Sequence, residues 1–195
     1  MTPKKATTDL GTAKVFLTGA TGFVGQAVLE RLLSDHPGTT VTILVRVKGG
    51  ATAEDRVRGL LKKPVFASWR DKVGEKGVED AVKNRIKVVE GGLTSPLKLP
   101  KDLDLVIHSA ASVSFDDPIN ESFEANIGGV VNLYEALRAA GGDPRVVHVS
   151  TCYVQGLRKG VAPETSLKHD IDWRAEYASA FDAQRRIENE SREPH

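Results

Sequence analysis

The sequence predicts an α/β protein built on a doubly wound parallel sheet with helices on both faces. Three observations carry this. Five short apolar, β-branched runs alternate with segments of helical periodicity. The runs are almost continuously apolar, as strands covered on both faces must be. The first run passes into a helical segment through glycines at every third position, Gly19, Gly22 and Gly25.

The elements follow in order. Residues 14–18 read as a buried strand. After the glycines, Val24, Val28 and Leu32 recur four apart with Leu29 and Leu33 beside them, a helix burying one stripe. "DHPG" ends it, and "TVTILVR" over 40–46 is a second strand. Residues 51–83 are charged and punctuated by Pro64, Gly74 and Gly77, which predicts helices broken by loops. "RIKVVEG" over 85–91 and "LDLVIHSAA" over 103–111 are the third and fourth strands. From Ile119, the positions Phe123, Ile127, Val130, Tyr134 and Leu137 keep helical spacing until "GGDP" stops them. "RVVHVST" over 145–151 is the fifth strand. Beyond it lie a loop-like stretch and a polar, exposed helix over 181–191. Strand–helix alternation of this kind makes right-handed βαβ units.

Composition bounds the function. The chain has 195 residues, 40% apolar and 27% charged, with a formal net charge of +1. That is enough for one domain with a core, without a field drawing it to nucleic acid or anionic membrane. No apolar run is long enough to span a bilayer, with peripheral membrane contact left open. The single cysteine, Cys152, excludes an internal disulfide and fits a reducing, cytoplasmic setting. Residues 1–13 read as a disordered leader. His108 and His148 fall on buried strands and read as satisfied core residues. They lack zinc spacing with each other or with Cys152, so no metal is expected.

A glycine turn between strand and helix has a physical use. The first glycine permits the tight turn, the second lets a pyrophosphate approach the backbone, and the third lets helix and strand pack closely. Helix N-terminal amides complete an anion site. The turn therefore marks a Rossmann-type fold, with Gly19, Thr21, Gly22, Phe23, Val24 and Gly25 as candidate cofactor residues. Arg46 closes the second strand, 21 residues after Gly25. An acidic residue there takes the ribose 2′-hydroxyl of NAD, whereas an arginine suits the 2′-phosphate of NADP. Lys48 and Arg56 stand near enough in sequence to add charge. Ala110 and Ala111 are small enough to let a cofactor cross the sheet edge.

"TGATGFVG" over 18–25 resembles the first turn of the extended short-chain dehydrogenase/reductase family, T-G-A-T-G-F, an aliphatic residue, then G. Four further segments are similar to the fatty acyl-CoA reductase group, also called the male-sterility or thioester-reductase type. They are "ILVRVKGGATAEDRVRGLL", "VVEGGLTSPLKL" (resembling V-x-G-D-L-T-x-P-x-L), "VIHSAASVSFDDPINESFEANIGGVVNLYEAL" and "VHVSTCYVQG". The resemblance covers residues 14–173. It implies that residues 14–195 form an NADP-binding domain and that Arg46, Lys48 and Arg56 hold the 2′-phosphate. The expected activity is NADPH-dependent reduction of a long-chain acyl-CoA or acyl-carrier-protein thioester to fatty aldehyde or alcohol. One departure stands out. Where the family pattern has an adenine-holding Asp, this chain has Gly92, leaving adenine to backbone groups near Leu93.

The resemblance also implies a Ser or Thr at the end of the fifth strand, here Thr151, and a Tyr-x-x-x-Lys further on. After Thr151, Tyr153 is followed four residues later by Leu157 and Tyr177 by Phe181. The expectation is a chain cut before the catalytic pair and inactive by itself. The alternatives are a nucleotide-sugar epimerase or dehydratase of the same family, and a non-catalytic NADP-binding regulator.

Overall fold

The computed structural model describes residues 8–46, 50, 52–156, 159–165 and 169–192. Five parallel strands lie in the order β3-β2-β1-β4-β5: β1 Lys14–Thr18, β2 Thr40–Val45, β3 Ile86–Glu90, β4 Leu105–His108 and β5 Arg145–His148. The register pairs Val15 with Val41 and with Leu105, so the first strand sits at the centre.

The pleat explains how nearly continuous apolar strands serve two cores. Val15, Leu17, Val41, Ile43 and Leu105 face one side, and Phe16, Val106 and half-buried Leu44 and Val146 face the other. Three helices cover the first side: α1 Phe23–Asp35, α2 Ala53–Leu61 and α3 Ala67–Asn84. They contribute Leu29, Leu33, Leu60, Leu61 and Trp69. The chain reaches the second side through α4 Ile119–Phe123 and a π-helical turn, Glu124–Gly128. There α5 Gly129–Ala140 contributes Leu133 and Leu137. Helices thus lie on both faces.

Several boundaries differ from expectation, each for a local reason. Pro64 and Gly74 do interrupt the helices as expected, Pro64 starting a 3-10 turn, Pro64–Phe66, and Gly74 kinking α3 with φ +67°, whereas Gly77 stays within α3. The helix expected from Ile119 is broken by the π turn. The last helix, α6 Trp173–Glu190, starts well before residue 181 because Asp172 caps it, accepting from the Arg174 amide at 2.9 Å. It is anchored by buried Ala180 and by Tyr177, whose hydroxyl lies against Gly128. Residues 8–13, expected within a disordered leader, pack on the core through buried Ala13 and through Leu10. Among the described residues, no helix is long and apolar enough to cross a membrane.

Candidate dinucleotide-binding site

The three glycines of the first turn differ in what requires them. Gly19 has φ +74°, and a Cβ there would stand 2.7 Å from the Ala110 amide nitrogen. Gly25 sits in the first turn of α1, where a Cβ would lie 2.0 Å from the Gly19 carbonyl oxygen. Both are demanded by the fold itself. Gly22 caps α1 in an ordinary extended conformation, and its N–H closes the turn onto the Gly19 carbonyl at 2.9 Å. A Cβ at Gly22 would meet only that oxygen, at 3.3 Å. Packing alone therefore accounts poorly for glycine at position 22.

The helix behind this turn is open to an anion. The bond from Gln26 N–H to Gly22 O comes first, leaving the amides of Phe23, Val24 and Gly25 without an acceptor. No acidic residue and no side-chain cap occupies the first turn of α1. Phe23 is 94% exposed and Val24 is also exposed, so both side chains stand at the lip of the turn.

The sheet order places a crevice beside this turn. From β1 the chain winds to β2 and β3, then returns across the sheet to β4, so the connections leave the paired strands β1 and β4 toward opposite sides and open a crevice at their C-terminal ends. Thr18 ties the two strand ends. Its hydroxyl accepts from the amides of Ser109 and Ala110 at 3.2 and 3.3 Å and lies 2.6 Å from His108 Nδ1. With both lone pairs engaged, the hydroxyl proton goes to Nδ1, which makes His108 the neutral Nε2–H tautomer. These side-chain bonds also end β4 at His108, short of the expected Ala111, because Ser109 and Ala110 spend their amides on Thr18. His148, expected in the core, is exposed: β5 lies at the sheet edge, and the two imidazoles meet edge to face at 4.8 Å.

Acid is expected to weaken the fold through His108, which is 1% exposed. Burial, with the neighbouring His148 adding to it, pushes its pKa from 6.5 down to about 4. Between those values the unfolded chain binds more protons, so stability falls with falling pH. The contribution is complete above about 6.5 and lost below about 4, and amounts to about 3 kcal/mol. Urea denaturation across that window should show the loss, and His108→Asn should flatten it. An equally steep loss in the variant would assign the effect to other groups.

An open cleft of about 750 Å³ runs from the glycine turn across the sheet edge. Of the expected cofactor residues, Gly19, Thr21, Arg46, Arg56, Gly92, Leu93, Ala110 and Ala111 line it. Lys48 lies outside the described residues. At the β2 end, Arg56 Nη1 is buried without any hydrogen-bond partner. Arg46 is exposed, and among the described residues neither guanidinium is in an ion pair. Arg46 also borders Gly92, whose Cβ position lies 3.7 Å from its Cγ and Cδ. At the β4 end, Asn126 clasps Ser112, accepting from its amide at 2.8 Å and donating to its carbonyl at 2.9 Å. The Ser112 hydroxyl donates to Asp117 at 2.5 Å, and this bond and one from Ser114 hold that carboxyl below its usual range.

Thr151 is exposed and outside the cleft lining. Its strand ends at His148, three residues before the expected end. Val149 N–H adds one bond to His108 O, and the chain then leaves for a 3-10 turn, Cys152–Gln155. Thr151 caps that turn, accepting from the Tyr153 amide at 3.2 Å, which leaves its hydroxyl proton available.

The profile of the male sterility protein family matches residues 17–192. The chain belongs to this family. It is 35% identical over 150 residues to a putative fatty acyl-CoA reductase, CG8306, of Drosophila melanogaster, covering 72% of this chain and 28% of that protein. Fatty acyl-CoA reductase 1 of Gallus gallus is 30% identical over 157 residues, or 75% and 29% of the two chains. Among solved structures, a thiolation-reductase di-domain from an archaeal non-ribosomal peptide synthetase superposes with a TM-score of 0.62 at 25% identity. That match covers 92% of this chain and 49% of the other. The chain spans less than a third of these two curated relatives and about half of that solved chain.

In this male sterility protein chain, three site residues escaped the reading of the sequence: Thr18, Asn126 and Asn132. Asn126 lies in the π turn. Asn132, on α5, donates to the carbonyls of Leu93 and Ser95, each at 2.6 Å. Asparagine is a poor choice for a helix interior because its side chain competes for backbone hydrogen bonds. Two asparagines six residues apart in one helical segment were the available signal.

Proposed function

We propose that the chain is the nucleotide-binding part of an NADPH-dependent reductase acting on long-chain acyl thioesters, carried by CoA or by a carrier protein. The observation that carries the NADP reading is Arg56. Its buried Nη1 lacks an acceptor, beside an unpaired Arg46, at the far end of a cleft that begins at the glycine turn. A buried guanidinium nitrogen without a partner is costly unless a ligand satisfies it, and a phosphate monoester is its natural complement. The free amides of Phe23, Val24 and Gly25 suit the pyrophosphate, and the small Ala110 and Ala111 leave room across the sheet edge.

Bound NADPH supplies the hydride. This chain's own part in the reaction is orientation: the Thr151 hydroxyl donates a hydrogen bond to the thioester or aldehyde oxygen, where negative charge develops. The thioester class rests on kinship with proteins described as fatty acyl-CoA reductases and with a thiolation-reductase di-domain.

Calorimetric titration with NADP+ and NAD+ tests the reading. NADP+ is expected to bind the more tightly. Arg46→Ala and Arg56→Ala should each weaken NADP+ by about ten- to a hundredfold, the loss of one charged hydrogen bond, and leave NAD+ little changed. Equal affinities for the two dinucleotides would refute it.

A further inference from the structure

The loop after β3 is held in an unusual balance of donors and acceptors. Gly91 has φ +144°, and its N–H closes onto Val45 O at 3.0 Å. Ser95 N–H donates to Gly92 O at 3.1 Å. Asn132 spends both protons of its Nδ2 on Leu93 O and Ser95 O. Three carbonyls of the loop are thereby engaged within the fold. The amides of Gly92, Leu93 and Thr94 have no acceptor, and these residues line the cleft beside Arg46. Gly129, three residues before Asn132 and on the same face of α5, makes the reach short: a Cβ there would stand 2.9 Å from Leu93 Cβ.

We infer that Asn132 is a positioning residue for recognition of the base. By engaging the carbonyls of Leu93 and Ser95, it fixes the loop with the unbonded amides of Gly92, Leu93 and Thr94 at the cleft. A backbone amide held against the base takes an edge with an unprotonated ring nitrogen, as adenine has at N1. It rejects a base carrying N–H at that position, as hypoxanthine and guanine do, because two donors then face each other. Base selection thus falls to backbone whose shape is set from another element. This rests on the nucleotide reading above.

The test measures dissociation constants of the full 195-residue chain for NADP+ and for its hypoxanthine analogue. The wild-type chain should prefer NADP+ by about tenfold or more, the worth of roughly one net hydrogen bond. Asn132→Asp keeps the shape of the side chain but sets oxygen against both carbonyls, so the loop loses its hold. It should weaken NADP+ by about tenfold and leave the analogue within about threefold, so the preference collapses. Asn132→Ala, which removes the bonds without adding a charge, should do the same. A general loss of folding would weaken both ligands together; only loss of base reading changes their ratio. In the wild-type chain, the amide resonances of Gly92, Leu93 and Thr94 should shift on addition of adenosine 2′,5′-bisphosphate, which needs only the adenosine half of the site. An unchanged preference in both variants, or unmoved resonances with the ligand bound, overturns the role of Asn132. No NADP+ binding by the wild-type chain overturns the nucleotide reading itself, and this inference with it.

Discussion

With NADPH and a long-chain acyl-CoA or aldehyde, the 195-residue chain is expected to show no measurable turnover. Tyr134, Tyr153 and Tyr177 are followed four residues later by Arg138, Leu157 and Phe181, so no Tyr-x-x-x-Lys is present. Loss of a general acid costs about 10²–10⁴ in rate. Without a lysine on the nicotinamide ribose, the hydride donor is held off its reacting geometry, which costs further orders of magnitude. Thr151 cannot replace the pair, since an alkyl hydroxyl is too weak an acid to give up a proton near neutral pH. The assay follows NADPH absorbance beside a full-length reductase of the family. Turnover close to that of the full-length enzyme would mean that another group is the acid. Tyr153, 75% exposed two residues after Thr151, would then be the first to replace, as Tyr153→Phe.

Gly22→Val and Gly25→Ala are expected to fail in different ways. At Gly25 a Cβ would stand 2.0 Å from a backbone carbonyl oxygen, so β1 and α1 must separate. Overpacking against a backbone that cannot yield puts the cost at about 3 kcal/mol or more, and nucleotide binding should go with it. At Gly22 the backbone is extended and the nearest contact is 3.3 Å, so the chain should fold with nearly its normal melting temperature. The valine would nonetheless fill the space in front of the free amides of α1, and dinucleotide affinity should fall by about a hundredfold or more, the worth of at least two charged hydrogen bonds. Thermal melts paired with titrations separate the cases. Normal affinity in Gly22→Val would make the whole glycine turn a packing device.

That the strands form a parallel sheet covered on both faces followed from pattern alone, because the chemistry is local; their order came only with the structure. Val15, Phe16 and Leu17 put apolar side chains on both sides of their strand, so both of its faces need covering, which is the condition for helices on both sides of a parallel sheet. The glycine turn was legible for the same reason, since spacing within eight residues encodes both the turn and the helix start. Arg46 could be read because its distance from Gly25 places it at a strand end.

What only the tertiary structure decided lies between elements distant in sequence. The Thr18–His108 bond spans 90 residues and ends β4 earlier than its apolar run suggests. Asn132 shapes a loop nearly 40 residues before it. Arg56 Nη1 is orphaned only because burial removes its water, and burial is a property of the assembled cleft. The sequence by itself determined the sheet, the turn and the sign of charge at the β2 end. Which polar groups are spent within the fold, and which are left for a ligand, is a sum over contacts that form only when the sheet closes.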